Sequence, residues 1–498
     1  MSSLCTHRWG YSVIDFGKNQ AKTCCRTTLD HQDKITYGGM DQLKALGSDF
    51  FLNSEYQKQR RLEMFKGIRH KSCETCWVLE KRNVQSPRKY GVPAGWEFEN
   101  NVITNISSGE TTHVDELTVD HPILKSNTPY MIEVNLSNHC DMSCLYCSPF
   151  FSSTWAVQNT DVWAESVNPN WKNEFFSNPA NKDWPQEVKD KIQAQVKDRN
   201  ETEFNEAFWQ WFSTIFEGQN ELRIGILGGE PINNPRLPDF IDRMCSLLES
   251  IPMEKRPHSG YWDKENKCWK QPNKPLLWFV TNGNTREAHF KKFIDRLPRL
   301  CKLFTVEISI SIESYKERAE YIRMNLVWDR FESNVRKYLE LDLPDLQIGF
   351  QTSINNLCVT SMPDFANWCV ELYHKYQKPL FLKPNVVTNP AHYKTNMLPA
   401  SYKKYLDDAC EIFSSRTPEN INDEFGTWPK YVAFLQTIIC NQSGTHAELE
   451  TLKNFLHSMD IRRNLDCRDV FPEMWEFWNL VQGISAEDWA AIQEMMND

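Results

Sequence analysis

Three cysteines lie close together in the run NLSNHCDMSCLYCSPF. Cys140, Cys144 and Cys147 form the pattern C-x3-C-x2-C, and no fourth cysteine follows at close range. Three thiolates on one short loop can hold three irons of a [4Fe–4S] cube, which leaves the fourth iron open to an external ligand. His139 could complete a closed zinc site instead. Because His139 directly adjoins Cys140, which is awkward for chelation, we expect an iron–sulfur cluster.

A second group of cysteines lies within the first 80 residues. Its members are Cys5, the adjacent Cys24 and Cys25, and the C-x2-C pair Cys73 and Cys76. Four thiolates complete one metal centre, and both an iron–sulfur cluster and a structural zinc ribbon suit such a set. The other eight of the 16 cysteines have no close cysteine or histidine partner, and we expect small buried hydrophobes at Cys245, Cys268, Cys301, Cys358, Cys369, Cys410, Cys440 and Cys467.

Six apolar runs are predicted to be the strands that position the three-cysteine loop. They cover residues 130–137, 222–231, 276–283, 303–314, 346–355 and 380–389, and helix-length segments lie between most of them. This alternation predicts an α/β fold of parallel βα units. Because the loop and several polar or glycine-containing segments follow the strands, we expect a partial (β/α)6 barrel with its site at the C-terminal strand ends.

Two further stretches are predicted to be helical. An insertion at about 157–219 ends with aromatic residues at near-helical spacing, which predicts a helix on the barrel wall or, as an alternative, a cover over the substrate opening. Its aromatic residues are Phe204, Phe208, Trp211, Phe212 and Phe216. Amphipathic segments fill 391–498, where Thr445 and Glu448 form a capping-box signal.

The composition of the 498-residue chain narrows the class of protein. Hydrophobic residues make up 40% and charged residues 24%, as in soluble globular proteins. The net charge of -10 argues against a duplex nucleic-acid binder. The sequence has no apolar run long enough for a membrane span and no apolar signal core at its N-terminus, so we expect a cytoplasmic protein. In that compartment, 16 cysteines indicate metal or redox chemistry rather than disulfides.

With these motifs in this order, residues 128–390 resemble the core of a radical S-adenosylmethionine (radical SAM) enzyme. The cluster loop, with Tyr146 before the third cysteine, and the motif Gly228-Gly229-Glu230-Pro231 after the second strand both match the family. The resemblance implies a TIM-like partial barrel and a SAM-binding [4Fe–4S] cluster on Cys140, Cys144 and Cys147. It also implies SAM contacts from Tyr146, Gly228, Gly229, Glu230, Pro231, Thr281, Asn282, Ser309, Ser311, Glu313 and Arg323.

Three of these residues have specific implied roles. Glu230 resembles the residue of the family's GGEP motif, which contacts the SAM amino group, and its carboxylate suits an ammonium. Arg323 resembles a basic residue that can meet the SAM carboxylate with its planar fork. Glu313 departs from the pattern, since many members of the family have aspartate there.

The N-terminal cysteines are similar to the twitch or SPASM-like auxiliary-cluster modules of radical SAM enzymes. In this chain the module precedes the barrel, as in a group of radical SAM proteins from phage and environmental genomes. The resemblance implies a second [4Fe–4S] cluster on Cys5, Cys73, Cys76 and one of Cys24 or Cys25, with His7 as an alternative ligand and zinc as an alternative metal. The implied domains are an auxiliary module at 1–95, the barrel at 128–390 and a helical region at 391–498.

The resemblance also implies a reaction. Radical SAM enzymes cleave SAM reductively at the [4Fe–4S] cluster, and the resulting 5′-deoxyadenosyl radical takes a hydrogen atom from the substrate. Relatives with auxiliary modules often modify peptides or proteins, so a peptide or protein substrate and an electron donor of the flavodoxin or ferredoxin type are implied. Three alternatives stay open: a small-metabolite substrate, a maturase that makes a radical on a partner protein, and a non-catalytic iron–sulfur or zinc protein. The sequence names no residue that acts on the substrate.

Overall fold

The protein is described by a computed structural model. The description covers residues 3–17, 20–25, 34–36, 52–81, 86, 88–89, 91–126, 129–148, 151–158, 201–217, 221–259, 261–263, 268–270, 274–416 and 428–483. Most of the predicted insertion and the last 15 residues therefore lie outside the described residues, as does the side chain of Cys268. Within the described part, no helix is long and apolar enough to cross a membrane.

Fourteen strands occur in the described residues. They are β1 (Tyr11–Asp15), β2 (Gln20–Thr23), β3 (Lys34–Thr36), β4 (Trp96–Glu99), β5 (Val102–Asn105), β6 (Thr111–His113), β7 (Met131–Asn135), β8 (Arg223–Leu227), β9 (Tyr261–Asp263), β10 (Cys268–Lys270), β11 (Leu276–Thr281), β12 (Thr305–Ser311), β13 (Leu346–Ile354) and β14 (Leu380–Val386).

The α-helices of the same residues number sixteen. They are α1 (His7–Gly10), α2 (Glu55–Phe65), α3 (Glu74–Lys81), α4 (Ser153–Gln158), α5 (Glu201–Ile215), α6 (Leu237–Glu249), α7 (Glu287–Ile294), α8 (Leu297–Leu303), α9 (Lys316–Ile322), α10 (Trp328–Glu340), α11 (Met362–Tyr376), α12 (Lys403–Ser415), α13 (Trp428–Gln436), α14 (His446–Arg463), α15 (Cys467–Val470) and α16 (Trp475–Gly483).

The six predicted strands are confirmed as neighbours in one sheet. β7, β8, β11, β12, β13 and β14 lie side by side in chain order, and each adjacent pair is parallel. Each strand ends within the apolar run predicted for it, before the glycine, proline or polar residues that follow. The mixed α/β class with a parallel sheet is thus established, and closure of the sheet into a partial barrel stays a prediction.

The N-terminal segment contributes to the same sheet, which the sequence did not predict. β1 pairs in parallel with β7, and β2 and β3 continue the sheet in antiparallel pairs. The buried guanidinium of Arg61 on α2 supports this segment, because it donates to the backbone carbonyls of Arg8, Leu52 and Leu124. The segment that carries Cys5 and Cys24 is therefore joined, through β1, to β7, the strand that precedes the cluster loop.

The helical predictions are confirmed where the structure describes them. In α5, Phe208, Trp211, Phe212 and the following Phe216 are buried in the main core, as expected for a helix packed on the sheet. The alternative, a cover over the substrate opening, is not tested by this helix alone. Thr445 caps α14, and Thr445 and Glu448 form the expected capping box.

The two faces of the parallel sheet differ in polarity. Side chains alternate between the faces of a strand, and on one face the residues of a register row are fully buried and apolar: Ile132, Ile224, Leu277 and Val306. The next row on the opposite face holds Glu133, Gly225, Trp278 and Glu307. Helices pack on the apolar face, where Phe279 contacts Phe293 of α7, and the polar side chains lie on the opposite face.

Two strand glycines let aromatic rings lie across the polar face. A Cβ atom on Gly225 would lie 2.2 Å from the Trp278 ring, and one on Gly349 would lie 2.1 Å from the carbonyl oxygen of Phe381 and 2.4 Å from its ring. Each ring thus occupies the space above the neighbouring strand. The two rings therefore cover the backbone on the polar face, and they can do so because the glycines have no side chain.

We predict that Gly225→Ala lowers the free energy of unfolding by about 1–3 kcal/mol, because the added methyl group overlaps the Trp278 ring. This loss outweighs the gain of about 0.5–1 kcal/mol that alanine brings to a strand. Urea unfolding measures the change. Gly225→Ala combined with Trp278→Leu should show a favourable coupling energy, and strictly additive effects would contradict the packing described here.

Candidate active site

The three-cysteine loop begins directly after β7, at the C-terminal edge of the parallel sheet. Cys140, Cys144 and Cys147 are all partly buried. Burial raises the pKa of the Cys147 thiol to about 11 and that of the Cys144 thiol to about 12. Without a metal these groups are therefore protonated at neutral pH, and a metal that binds them must displace the protons.

Backbone hydrogen bonds hold the loop on two sides. The N–H groups of Ser143 and Leu145 donate to the carbonyl oxygens of Met324 and Ile322, at 3.1 and 2.9 Å. On the other side, the N–H of Glu230 donates to the carbonyl oxygen of His139 at 2.7 Å. The loop has no regular secondary structure, so these neighbours supply partners that a helix or strand would otherwise provide.

Gly228 and Gly229 allow the close approach at the second of these contacts. Both have positive φ angles, 89° and 54°, which residues with a side chain rarely adopt. A Cβ atom on Gly229 would lie 2.2 Å from the carbonyl oxygen of His139. The sequence predicts that these glycines let the backbone approach a ligand. In the structure they first let β8 approach the cluster loop itself.

Glu230 is fully buried and joins the ends of β8 and β11. Its carboxylate accepts hydrogen bonds from the N–H groups of Ile232 and Asn282, at 3.0 and 2.5 Å, and from the Thr281 hydroxyl at 2.8 Å. Burial raises the pKa of Glu230 to about 8. A carboxylate has about four lone-pair sites, and three of them accept these hydrogen bonds. About one site is left to accept a hydrogen bond from the SAM ammonium that the resemblance assigns to Glu230.

Asn282 reaches the cluster loop. Its side-chain amide donates to the Asp141 carboxylate at 2.9 Å and lies 3.9 Å from the Cys140 sulfur. The Asn284 amide also donates to Asp141, at 3.3 Å. Sequence reasoning missed Asp141 and Asn284, although both lie within or beside the motifs and the repeated asparagine in TNGN was a usable signal.

Arg323 forms a buried ion pair with Glu313. The Arg323 Nε atom donates to both Glu313 oxygens at 3.1–3.2 Å, and the Tyr146 hydroxyl donates to the same carboxylate at 3.0 Å. A terminal Arg323 nitrogen lies 3.9 Å from the Cys144 sulfur. The Arg323 guanidinium, which is expected to bind the SAM carboxylate, thus binds Glu313 and lies beside the Cys144 thiol.

Ser309 and Ser311 end β12 on the polar face of the sheet. Ser309 donates to the buried Glu307 carboxylate at 2.9 Å. Lys383 on β14 donates to the same carboxylate at 2.5 Å and thereby crosses the intervening strand above Gly349. Sequence reasoning did not identify the Glu307–Lys383 pair, because an acidic residue in an alternating strand does not indicate its partner two strands away.

Three buried polar atoms around the site have no hydrogen-bond partner among the described residues. They are the hydroxyl oxygens of Ser148 and Thr285 and the amide oxygen of Asn233. Each lies just beyond one of the motifs, after Cys147, Asn284 and Ile232 respectively. Buried polar groups normally have partners, so their positions are compatible with a bound polar ligand such as SAM. The donors beside Cys140 and Cys144 are likewise compatible with sulfur ligands of an iron cluster.

The N-terminal cysteines also come together. The charges of Cys5 and Cys73 both contribute to the raised pKa of Cys76, about 11, after the larger effect of burial. A guanidinium nitrogen of the buried Arg8 lies 3.5 Å from the Cys73 sulfur. Arg88 acts electrostatically on Cys5 and Cys76 and forms a two-bond ion pair with Glu80.

Cys24 and Cys25 have different neighbours. Burial raises the pKa of Tyr130, and the charges of Cys5 and Cys24 add to this effect. Cys24 is half-buried, whereas Cys25 is exposed. Cys25 forms a side-chain hydrogen bond with Tyr11. His7, the alternative ligand, has its Nδ1 atom 2.5 Å from the Tyr130 hydroxyl.

The two cysteine groups lie at opposite ends of the β1–β7 pair. The N–H of Cys24 donates to the carbonyl of Tyr11, the first residue of β1, and β1 runs parallel to β7. The loop with Cys140 follows the other end of β7. At about 3.3 Å per residue, the five residues of β7 span about 13 Å.

The isolated cysteines behave as expected where they are described. Cys245, Cys301, Cys358, Cys369, Cys410, Cys440 and Cys467 are all buried. Cys467 lies close to the carboxylates of Asp460 and Asp466. Asp460 accepts from Tyr321 and from the Cys467 N–H, and Asp466 caps α15, so these carboxylates already stabilise the junction of two helices.

No family model and no curated protein matches this sequence significantly. Among solved structures, the chain is similar to Streptococcus suis SuiB bound to the precursor peptide SuiA (12% identity, TM-score 0.31, 64% of this chain, 49% of SuiB). It is also similar to SuiB bound to S-adenosylmethionine (11% identity, TM-score 0.30, 64% of this chain, 51% of SuiB). The chain thus spans about half the length of the SuiB chains that it matches. The fold described above rests on strand order and register, since these TM-scores are low.

We predict that Arg323→Met alone lowers the free energy of unfolding of the metal-free protein by about 3–5 kcal/mol, because it leaves the buried Glu313 carboxylate without its cation. Urea unfolding under anaerobic conditions measures this change. The double variant Arg323→Met with Glu313→Gln removes the unpaired charge and should lose less stability than Arg323→Met alone. An equal or larger loss in the double variant would show that the ion pair does not govern stability here.

Proposed function

We propose that this protein is a radical SAM enzyme. The observation that carries the proposal is that the C-x3-C-x2-C loop is hydrogen-bonded to the ends of both following strands, through Glu230 to His139 and Asn282 to Asp141. Sequence motifs separated by more than 80 residues thus meet at the C-terminal edge of a parallel sheet, where α/β proteins bind ligands.

Different residues of the site would bind the cluster and SAM. Cys140, Cys144 and Cys147 would hold the [4Fe–4S] cluster, and the side chains of Asn282 and Arg323 donate towards the sulfur atoms of Cys140 and Cys144. The cluster and SAM together would supply radical chemistry, in which one electron splits SAM into methionine and a 5′-deoxyadenosyl radical that takes a hydrogen atom from a substrate. Glu230, Thr281 and the neighbouring orphan atoms of Asn233 and Thr285 line the place where SAM would lie.

We further propose that the N-terminal group holds a second [4Fe–4S] cluster on Cys5, Cys24, Cys73 and Cys76. Cys24 is chosen over Cys25 because Cys24 is half-buried, like Cys73, whereas Cys25 is exposed to solvent. The buried guanidinium groups of Arg8 and Arg88 favour an anionic centre there, since four thiolates carry more negative charge than a bound metal neutralises.

The substrate proposed is a peptide or protein, modified in the cytoplasm with electrons from a flavodoxin- or ferredoxin-type donor. This part of the proposal rests on the resemblance to radical SAM enzymes with twitch or SPASM-like modules. The polar face of the sheet lies opposite the helices and carries Lys383, which is half-exposed. This cation is consistent with a polar substrate that binds on that face.

Anaerobic reconstitution tests the central proposal. We expect about eight irons per chain, four for each cluster, and release of 5′-deoxyadenosine when dithionite and SAM are added. Replacing Cys140, Cys144 and Cys147 together by alanine should abolish this release and leave about four irons. Zinc in place of iron, or no SAM cleavage by the fully reconstituted protein, would refute the proposal.

The matched variants Cys24→Ala and Cys25→Ala test the second cluster. Cys24→Ala should lose about four irons per chain, because one ligand of the N-terminal cluster is removed, whereas Cys25→Ala should keep the wild-type iron content. Iron analysis and Mössbauer spectroscopy measure this difference. Equal iron contents in the two variants, or loss in Cys25→Ala alone, would contradict the assignment of Cys24.

A further inference from the structure

Four consecutive residues that follow the cluster loop hydrogen-bond back to its main chain. Ser152 donates to the carbonyl oxygen of Met142 at 2.6 Å, and Thr154 donates to that of Cys140, also at 2.6 Å. The indole N–H of Trp155 donates to the carbonyl oxygen of Cys144 at 2.7 Å. These contacts involve the carbonyls of two of the three cysteines.

Ser153 contacts the main chain of the loop through both its hydroxyl group and its backbone N–H. Its hydroxyl oxygen accepts the N–H of Cys140 at 3.1 Å, and the hydroxyl also lies 3.3 Å from the Cys140 carbonyl oxygen. Its own N–H donates to the carbonyl of Asn138, at the start of the loop. The residues 152–155, SSTW, thus contact the main chain before, at and after the first cysteine.

The Ser152–Trp155 segment is itself firmly held. Ser152 and Trp155 are 1% and 0% exposed, and the Ser152 hydroxyl accepts the N–H of Trp155 at 3.2 Å. The Trp155 ring packs against Phe455 of α14, with 6.1 Å between ring centres. The C-terminal helical region, to which α14 belongs, therefore contacts the cluster loop indirectly, through Trp155.

We propose that the Ser152–Trp155 segment is a positioning element for the iron–sulfur loop, an inference that rests on the proposed function. The segment fixes the main chain of Cys140, Met142 and Cys144, so that two of the three thiols on a loop without regular structure keep one arrangement with and without metal. Groups that orient metal ligands without touching the metal affect affinity and activity strongly. No residue of this segment contacts SAM or substrate in the proposal, so its members are positioning residues.

The test uses Trp155→Phe, which keeps an aromatic ring against Phe455 but removes the N–H donor. Its matched control is Trp428→Phe, because Trp428 is also fully buried and donates its indole N–H to a backbone carbonyl, that of Leu380, at 2.9 Å. Leu380 begins β14, an edge strand that four strands separate from β7, the strand before the cluster loop. The two variants therefore lose the same kind of hydrogen bond at different places.

Two measurements are made on the full chain. In the metal-free protein, the rates at which iodoacetamide labels Cys140, Cys144 and Cys147 are followed by peptide mass spectrometry. In the reconstituted protein, the rate of iron loss to a chelator is followed in the Cys5→Ala/Cys24→Ala background, so that only one cluster contributes. For Trp155→Phe we expect both rates to rise about 10-fold, which matches the smaller losses of metal affinity seen when a group that orients a metal ligand is removed. For Trp428→Phe we expect wild-type rates.

The outcomes separate this inference from the proposed function. Wild-type rates in Trp155→Phe, or equal increases in both tryptophan variants, overturn the positioning role even if SAM cleavage is observed. If the wild-type protein binds no cluster, the proposed function fails, and thiol labelling of the metal-free protein still decides whether the segment orders the loop. Should Trp155→Phe not fold, Thr154→Val removes the hydrogen bond to Cys140, and Thr451→Val on α14, whose hydroxyl bonds Ala447, is its control.

Discussion

The central constraint on this structure is that a loop without helix or strand must keep its buried main-chain groups hydrogen-bonded. Eight residues from Cys140 to Cys147 carry three thiols, and a thiol-bearing loop that collapsed or frayed would not hold a metal. The partners come from three elements: the end of β8 through Glu230, the turn after α9 through Met324, and the first residue of α4, Ser153. The elements of the fold are arranged so that these partners meet at one place.

Much of the fold follows from local patterns in the sequence. The six parallel strands lie where apolar runs end in glycine, proline or polar residues, and the helix from His446 follows its capping box. β1 was not predicted, because its five residues YSVID carry no clear periodic signal and its partner strand lies more than 100 residues further along the chain. Such a pairing depends on tertiary contacts and not on local preference.

The candidate site was predicted as a set of residues but not as a set of contacts. The cysteines, Glu230 and Thr281 could be found because each belongs to a short motif with a chemical reason. The pairing of Arg323 with Glu313, and of Lys383 with Glu307, joins residues on different elements, and sequence spacing contains no information about which charges become neighbours. The Trp155 indole was missed for a similar reason, since a buried tryptophan gives no sign of the carbonyl that it binds.

The parallel pairing of β1 with β7 also has a consequence for how the chain is made. Val13 and Glu133 are partners in this pair although 120 residues separate them. Contacts between residues so far apart in sequence form late, because a long loop must close first. During synthesis the N-terminal cysteines therefore emerge well before the strand that completes their surroundings. The metal that we propose for that end of the protein would bind only after at least the first 135 of the 498 residues have been synthesised.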